Sequence, residues 1–160
     1  MKILIFLTFL ALSAAKLEDF HKFTAKFFSG VGIIEDVNLI NKCITEAEEM
    51  AWETIYMNFE TTNWDVLEFV VMAVGYHTNG VMLLLTKAYM CALDKVKVKA
   101  IIDKIVKLLE NEQRLMAKIA GNRGKIADMF KAQLAAKKRG EFAEAGTIAA
   151  NFVTWFFLND

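Results

Sequence analysis

Proline is absent from all 160 residues and glycine occurs only eight times, so the chain has few of the residues that interrupt a helix or tighten a hairpin. An excess of charge of either sign is also missing. Nineteen basic and nineteen acidic side chains cancel, leaving no basic footprint for long-range attraction to nucleic-acid phosphates. Nucleic acid is therefore not an expected partner. Histidine occurs twice, at His21 and His77, and cysteine twice, at Cys43 and Cys91. They form neither a His-x-x-x-His pair nor a clustered cysteine motif, so no metal site is expected. No phosphate-cradling glycine loop and no Gly-x-Ser-x-Gly elbow occurs, and the glycines sit as helix punctuation. Glu46, Glu48, Glu49 and the Glu18-Asp19 pair read as solvated helix faces, not as carboxylates driven apart for acid and base work. The chain is expected not to be an enzyme and to need no cofactor. No Asn-x-Ser/Thr acceptor is present, so ordinary N-glycosylation is not expected either.

What the chain does have is apolar side chains, 56% of the total, enough for one buried core in one domain. The first fifteen residues read as a cleaved leader. Lys2 supplies the positive start, Ile3 to Leu12 an apolar run, and Ser13-Ala14-Ala15 the small residues before a cut. Residues 16–160 then form the single domain, with Lys16 at its start. The apolar run is about half the roughly 20 residues that a spanning helix needs, which favours secretion over anchoring. An oxidising destination in turn favours a Cys43–Cys91 disulfide over two free thiols.

Apolar residues recur at helical spacing almost throughout, and strand-like alternation appears only briefly near Lys95 to Lys99. The expected fold is all-α: one bundle of about five to six helices tied by one disulfide. The first runs over 17–29, with Phe20, Phe23, Phe27 and Phe28 largely on one side. The second runs over 36–59, with Val37, Ile40, Ile44, Ala47, Ala51 and Ile55 inward and the glutamates outward. Thr62 and Asp65 resemble a capping box opening a third, which is either kinked or split around Gly75-Tyr76-His77-Thr78-Asn79-Gly80. Leu84, Leu85, Ala88, Cys91 and Ala92 fall on its inner face. A lysine-rich helix follows Asp94, with Val98, Ile101, Ile102, Ile105, Leu108, Leu109, Met116 and Ile119 inward. The next carries Ile126, Met129, Phe130 and Leu134 and closes on Lys137-Lys138-Arg139-Gly140, cations and a glycine that suit a helix C-terminus. The last covers 141–158.

Two features sit awkwardly in a small monomeric bundle. Residues 66–85 are long enough to span a membrane, although Glu68, His77, Thr78 and Asn79 would place polar groups in hydrocarbon. Apolar surplus gathers in Val66 to Val74 and at seven aromatics: Phe23, Phe27 and Phe28, and then Phe152, Trp155, Phe156 and Phe157, which with Val153 and Leu158 nearly encircle the last helix. An all-round apolar helix is buried, membrane-associated or covered by another subunit. These seven residues are the candidate lipid or assembly interface.

Cys43 and Cys91, the stretch Asn122-Arg123-Gly124-Lys125-Ile126-Ala127-Asp128, and Lys137-Lys138-Arg139-Gly140-Glu141-Phe142 followed by Ala145-Gly146 together resemble a set of small secreted two-cysteine helical proteins of ciliates. The resemblance covers the cysteine regions and about the last forty residues. It implies secretion, helices and a disulfide, and it supplies no catalytic residues. Ala150 stands four residues after Gly146, where such proteins often have a second glycine, and close helix contact through a small-x-x-x-small face needs only Gly or Ala. The expected function is that of a secreted structural protein that assembles with itself or associates with lipid. The alternative is a soluble extracellular module binding a small hydrophobic ligand or a protein partner.

Overall fold

The computed structural model describes residues 2–34 and 36–159, with side chains from Lys16 onward. The expected leader, 1–15, lies outside the residues described with their side chains. Among the described residues the chain is helical without strands, and it forms eight helices where five to six were expected. They are α1 (Lys2–Gly30), α2 (Val37–Cys43), α3 (Glu46–Thr61), α4 (Leu67–Met90), α5 (Lys95–Leu109), α6 (Glu112–Gly121), α7 (Arg123–Lys138) and α8 (Phe142–Val153), the last running into a π-helical turn at Thr154–Leu158.

The two additional helices arise from capping residues hidden inside continuous apolar periodicity. At the break between α2 and α3, the Thr45 amide and hydroxyl both donate to the Glu48 carboxylate, at 2.7 and 2.6 Å. This satisfies groups that a continuing helix would have used differently. Glu48 is therefore buried rather than solvated, and it also faces the Lys87 ammonium at 3.4 Å. The break resets the helical register, which leaves Val37 and Ala47 exposed instead of inward. Between α5 and α6, Asn111 Oδ1 accepts from the Arg114 amide at 3.0 Å. That N-cap ends the inward stripe early and exposes Leu109. Thr62 closes α3 rather than opening α4, because its hydroxyl donates back to the Asn58 carbonyl at 2.8 Å. α4 starts at Leu67 after Asn63 has capped the Asp65 amide.

α4 is one uninterrupted helix through both of its glycines. Gly80 is required there by packing, since a Cβ would lie 2.4 Å from Ile55 Cδ1 and about 3 Å from the Trp52 indole. Thr78 turns its hydroxyl onto the Val74 carbonyl at 2.7 Å, so it does not break the helix. α4 touches α2, α3, α5, α6 and α7, while α1 lies along α8 and α8 along α7. The α1–α8 pair is the closest. A Cβ on Gly146 would stand 2.1 Å from the Phe23 carbonyl oxygen, and one on Gly30 would stand 2.4 Å from the Ala150 Cβ. The small-residue face read at Gly146 and Ala150 is thus a contact surface between these two helices.

Cys43, at the end of α2, is bonded to Cys91, at the cap of α4, with Cα atoms 5.9 Å apart and a separation of 48 positions in sequence. Closing a loop of that size stabilises the fold by roughly 4 kcal/mol in the chain-entropy model.

Candidate functional site: the aromatic interior and the outer face of α4

The seven aromatic residues expected at an interface are placed in the interior. Phe23, Phe27, Phe28, Phe152, Phe156 and Phe157 belong to the buried core, and Trp155 is half-buried against it. The cause is the close approach of α1 to α8. With Gly and Ala at the contact, the two backbones nearly touch, and the large rings are directed to either side into the space bounded by α3, α4 and α7. Phe23 meets Trp52 at 4.7 Å, Phe152 meets Phe130 at 4.6 Å, and Phe156 stacks on Phe152 at 5.1 Å. Lys125 lies over the half-buried Trp155 ring at 3.9 Å, covering much of its remaining face.

His77 sits at the centre of this interior, stacked on Phe130 at 4.7 Å with Phe152 and Trp52 edge-on at 4.9 and 5.3 Å. Its Nε2 lies 3.0 Å from Gln133 Oε1, and Gln133 Nε2 donates to the Tyr56 hydroxyl at 3.3 Å. With an oxygen as partner, Nε2 carries the hydrogen, and Nδ1 is left as a buried acceptor without a partner. Burial pushes the imidazole down to about 4, against the smaller upward pull of the Gln133 bond. Burial likewise pushes the Tyr56 hydroxyl above its ordinary range. His77 and Gln133 form the fully buried part of this relay. It joins α3, α4 and α7 through one chain of hydrogen bonds. His21 stands apart, with Nε2 2.9 Å from the Ile44 carbonyl. Among the described residues no group of three or more His, Cys, Asp or Glu is gathered as metal ligands would be.

Residues 66–85, which the sequence marked as unusually apolar, form most of α4, and the outer side of that helix is an exposed surface. Its solvent-exposed positions are Glu68, Phe69, Met72, Gly75, Tyr76, Asn79, Leu83, Thr86, Tyr89 and Met90. Of these ten positions only Glu68, in the first turn, carries a charge, and the helix's other charge, Lys87, is half-buried and faces Glu48. Phe69 and Met72 are 45% and 48% exposed and Met90 is 74% exposed. Phe69, Met72, Tyr76, Asn79, Leu83, Thr86 and Met90 follow alternating steps of three and four, the spacing that keeps one seam of a helix facing a neighbour. By length and composition α4 could cross a membrane, but half of its most apolar stretch is buried inside the protein. The contrast with α5 is sharp, because its exposed positions include Lys95, Lys97, Lys99, Lys104 and Lys107. The signal for the α4 face lay in those three-and-four steps, but the inner face is equally apolar, and periodicity alone does not separate the two.

No family model, curated protein or solved structure matches the chain.

Proposed function

We propose that this is a secreted, non-enzymatic protein that acts by associating with a second copy of itself through the outer face of α4. The observation that carries the reading is the pairing of length with lack of charge on that face. At about 1.5 Å per residue the helix presents a strip roughly 36 Å long, and contiguous exposed apolar surface on this scale is characteristic of interaction sites. The expected assembly function is kept, and its surface moves from the two aromatic clusters to α4. The disulfide supports an oxidising destination.

The pattern along the strip favours another copy over a lipid surface. Asn79 is at its midpoint, with Tyr76 and Leu83 one turn to either side and Phe69 and Met90 at the ends. Antiparallel pairing about a two-fold axis at Asn79 sets Tyr76 beside Leu83 and Phe69 beside Met90 of the other copy. It also brings two amides together that can each donate and accept. A single polar residue in such a seam specifies register. A helix lying on a membrane would instead be flanked by cations drawn to anionic lipid; beside α4, Lys87 is held by the Glu48 carboxylate at 3.4 Å and Lys95 lies over the Tyr89 ring at 5.1 Å, and none stands on the seam itself.

Sedimentation velocity over a wide concentration range tests this. The wild-type protein is expected to dimerise, and the Tyr76→Glu/Leu83→Glu double variant to sediment as a monomer with unchanged far-ultraviolet dichroism. A wild-type protein that stays monomeric at high concentration and floats with phosphatidylcholine vesicles would replace the self-association reading with a lipid one.

A further inference from the structure

We propose that a cleft between the end of α1, one face of α5 and the C-terminal turn binds a single-chain amphiphile with an anionic head. The cleft encloses about 320 Å³ and is lined by Val31, Gly32, Lys97, Ala100, Ile101, Lys104 and Leu158. The four α5 residues are spaced i, i+3, i+4 and i+7, so they form one face. Val31, Ala100, Ile101 and Leu158 make an apolar floor of the kind that accepts an alkyl chain, and the volume is at the small end of the range for ligand pockets.

Charge complementarity sets the class of occupant. Among the described residues no carboxylate lines the cleft, and a lysine stands at each end of the α5 face. Lys97 Nζ donates to the Gly32 carbonyl at 3.1 Å and is 3.7 Å from Asp94, so its charge is partly matched. Lys104 Nζ donates to the Leu158 carbonyl at 3.3 Å. A carbonyl satisfies one of the three ammonium hydrogens without neutralising the charge. Lys104 also lines an adjoining cleft of about 80 Å³ together with Lys107 and Phe157. The anionic head belongs at the Lys104 end, where a charge-assisted hydrogen bond forms to a cation already held in place, with the chain lying over Ile101 towards Val31. A carboxylate and a phosphate monoester share this chemistry. The site uses no residue of the α4 face.

The test is calorimetric titration of the disulfide-intact protein with decanoate, decyl phosphate and decyltrimethylammonium, each below its micellar concentration. Saturable one-site binding is expected for one or both anions, the stronger identifying the head group, and none for the cation. Lys104→Met, which keeps the apolar stem, is expected to weaken anion binding about tenfold, the loss of one charge-assisted bond. Ala100→Trp fills the cleft from an exposed position and is expected to abolish binding, while Lys99→Met, outside the cleft, changes nothing. If Ala100→Trp does not fold by circular dichroism, the Lys104→Met result decides. Equal binding of the cationic amphiphile, or anion binding indifferent to Lys104→Met, overturns the proposal. So does binding to phosphatidylglycerol vesicles with no uptake of the monomeric amphiphiles.

Discussion

Ala92 shows how much a single backbone position can hold. The end of α4 closes with the Leu93 amide on the Ala88 carbonyl at 3.0 Å and the Ala92 amide on the Tyr89 carbonyl at 3.1 Å, the paired bonds of a helix stop that is usually built on glycine. Ala92 is in the left-handed region, with φ 61°. At the equivalent stop after α7 the residue is Gly140, with φ 76°. Left-handed backbone costs an L-residue roughly 1–2 kcal/mol, and extra freedom in the unfolded chain costs glycine about 0.5–1 kcal/mol. Ala92→Gly should thus stabilise the fold by about 0.5–1 kcal/mol, read as a rise of a few degrees in melting temperature. His77 bears on pH in the same local way. Its imidazole is pushed down to about 4 in the fold from about 6.5 in an unfolded chain. Between those values the unfolded state binds the extra proton. The stability associated with neutral His77 is therefore complete above pH 6.5 and is lost as pH falls towards 4, at about 1.4 kcal/mol per pH unit. Denaturant titrations at a series of pH values should show this slope in the wild type and a much shallower one in His77→Leu, which has no proton to bind. The faces packed on the ring are Trp52, Phe59, Phe130 and Phe152. Apart from the Tyr56 end of the relay, no titratable group among the described residues adjoins the ring, so the difference between wild type and His77→Leu isolates its share of the slope.

At the scale of helices, the α1–α8 pair places the aromatic interior, and its contact tolerates no added carbon. Gly146→Ala would drive a methyl into the Phe23 carbonyl oxygen, a backbone atom that moves only with its helix. The expected cost is about 3 kcal/mol. Gly124, also helical but with nothing within reach of a Cβ, is the control. Gly124→Ala should be neutral or stabilise by a few tenths of a kcal/mol. Thermal melts of the two variants separate packing from propensity. This is also where the sequence was most and least legible. Helical periodicity marked the apolar stretches but joined α2 to α3 and α5 to α6, and the two cysteines met as their inward positions implied. Helix ends were less visible, because Thr45 and Asn111 interrupt stretches whose apolar spacing continues across the break. Thr45-x-x-Glu48 was a capping signature in plain view, obscured by a run of acidic residues that read as a solvated face. Gly75 and Gly80 misled in the other direction. The role of Gly80 is decided by neighbours distant in sequence, Trp52 and Ile55, which periodicity along one helix does not reveal, whereas Gly75 is exposed with nothing within reach of a Cβ.

For the whole molecule the question is how one small chain disposes of its apolar surplus, and composition alone left three answers open: burial, membrane or another subunit. The structure divides the surplus. The phenylalanines of α1 and the C-terminal segment go inside, and of the thirteen large apolar side chains exposed among the described residues six lie together on α4, the others being spread over the loops and remaining helices. A double substitution makes that division measurable. Phe156 and Phe157 are buried, touching Phe152 and each other at 4.9–6.2 Å. Truncating a buried phenylalanine costs about 3–5 kcal/mol, so Phe156→Ser/Phe157→Ser should lose most or all of the roughly 5–15 kcal/mol that holds a domain of this size together. The variant is expected to show collapsed near-ultraviolet dichroism and no cooperative melt. Tyr76→Glu/Leu83→Glu removes comparable apolar area from exposed positions and should melt cooperatively within a few degrees of wild type. If the serine variant instead stayed helical and cooperative and became more soluble, the aromatic segment would be a surface after all, and the association face would return from α4 to the C-terminal turn.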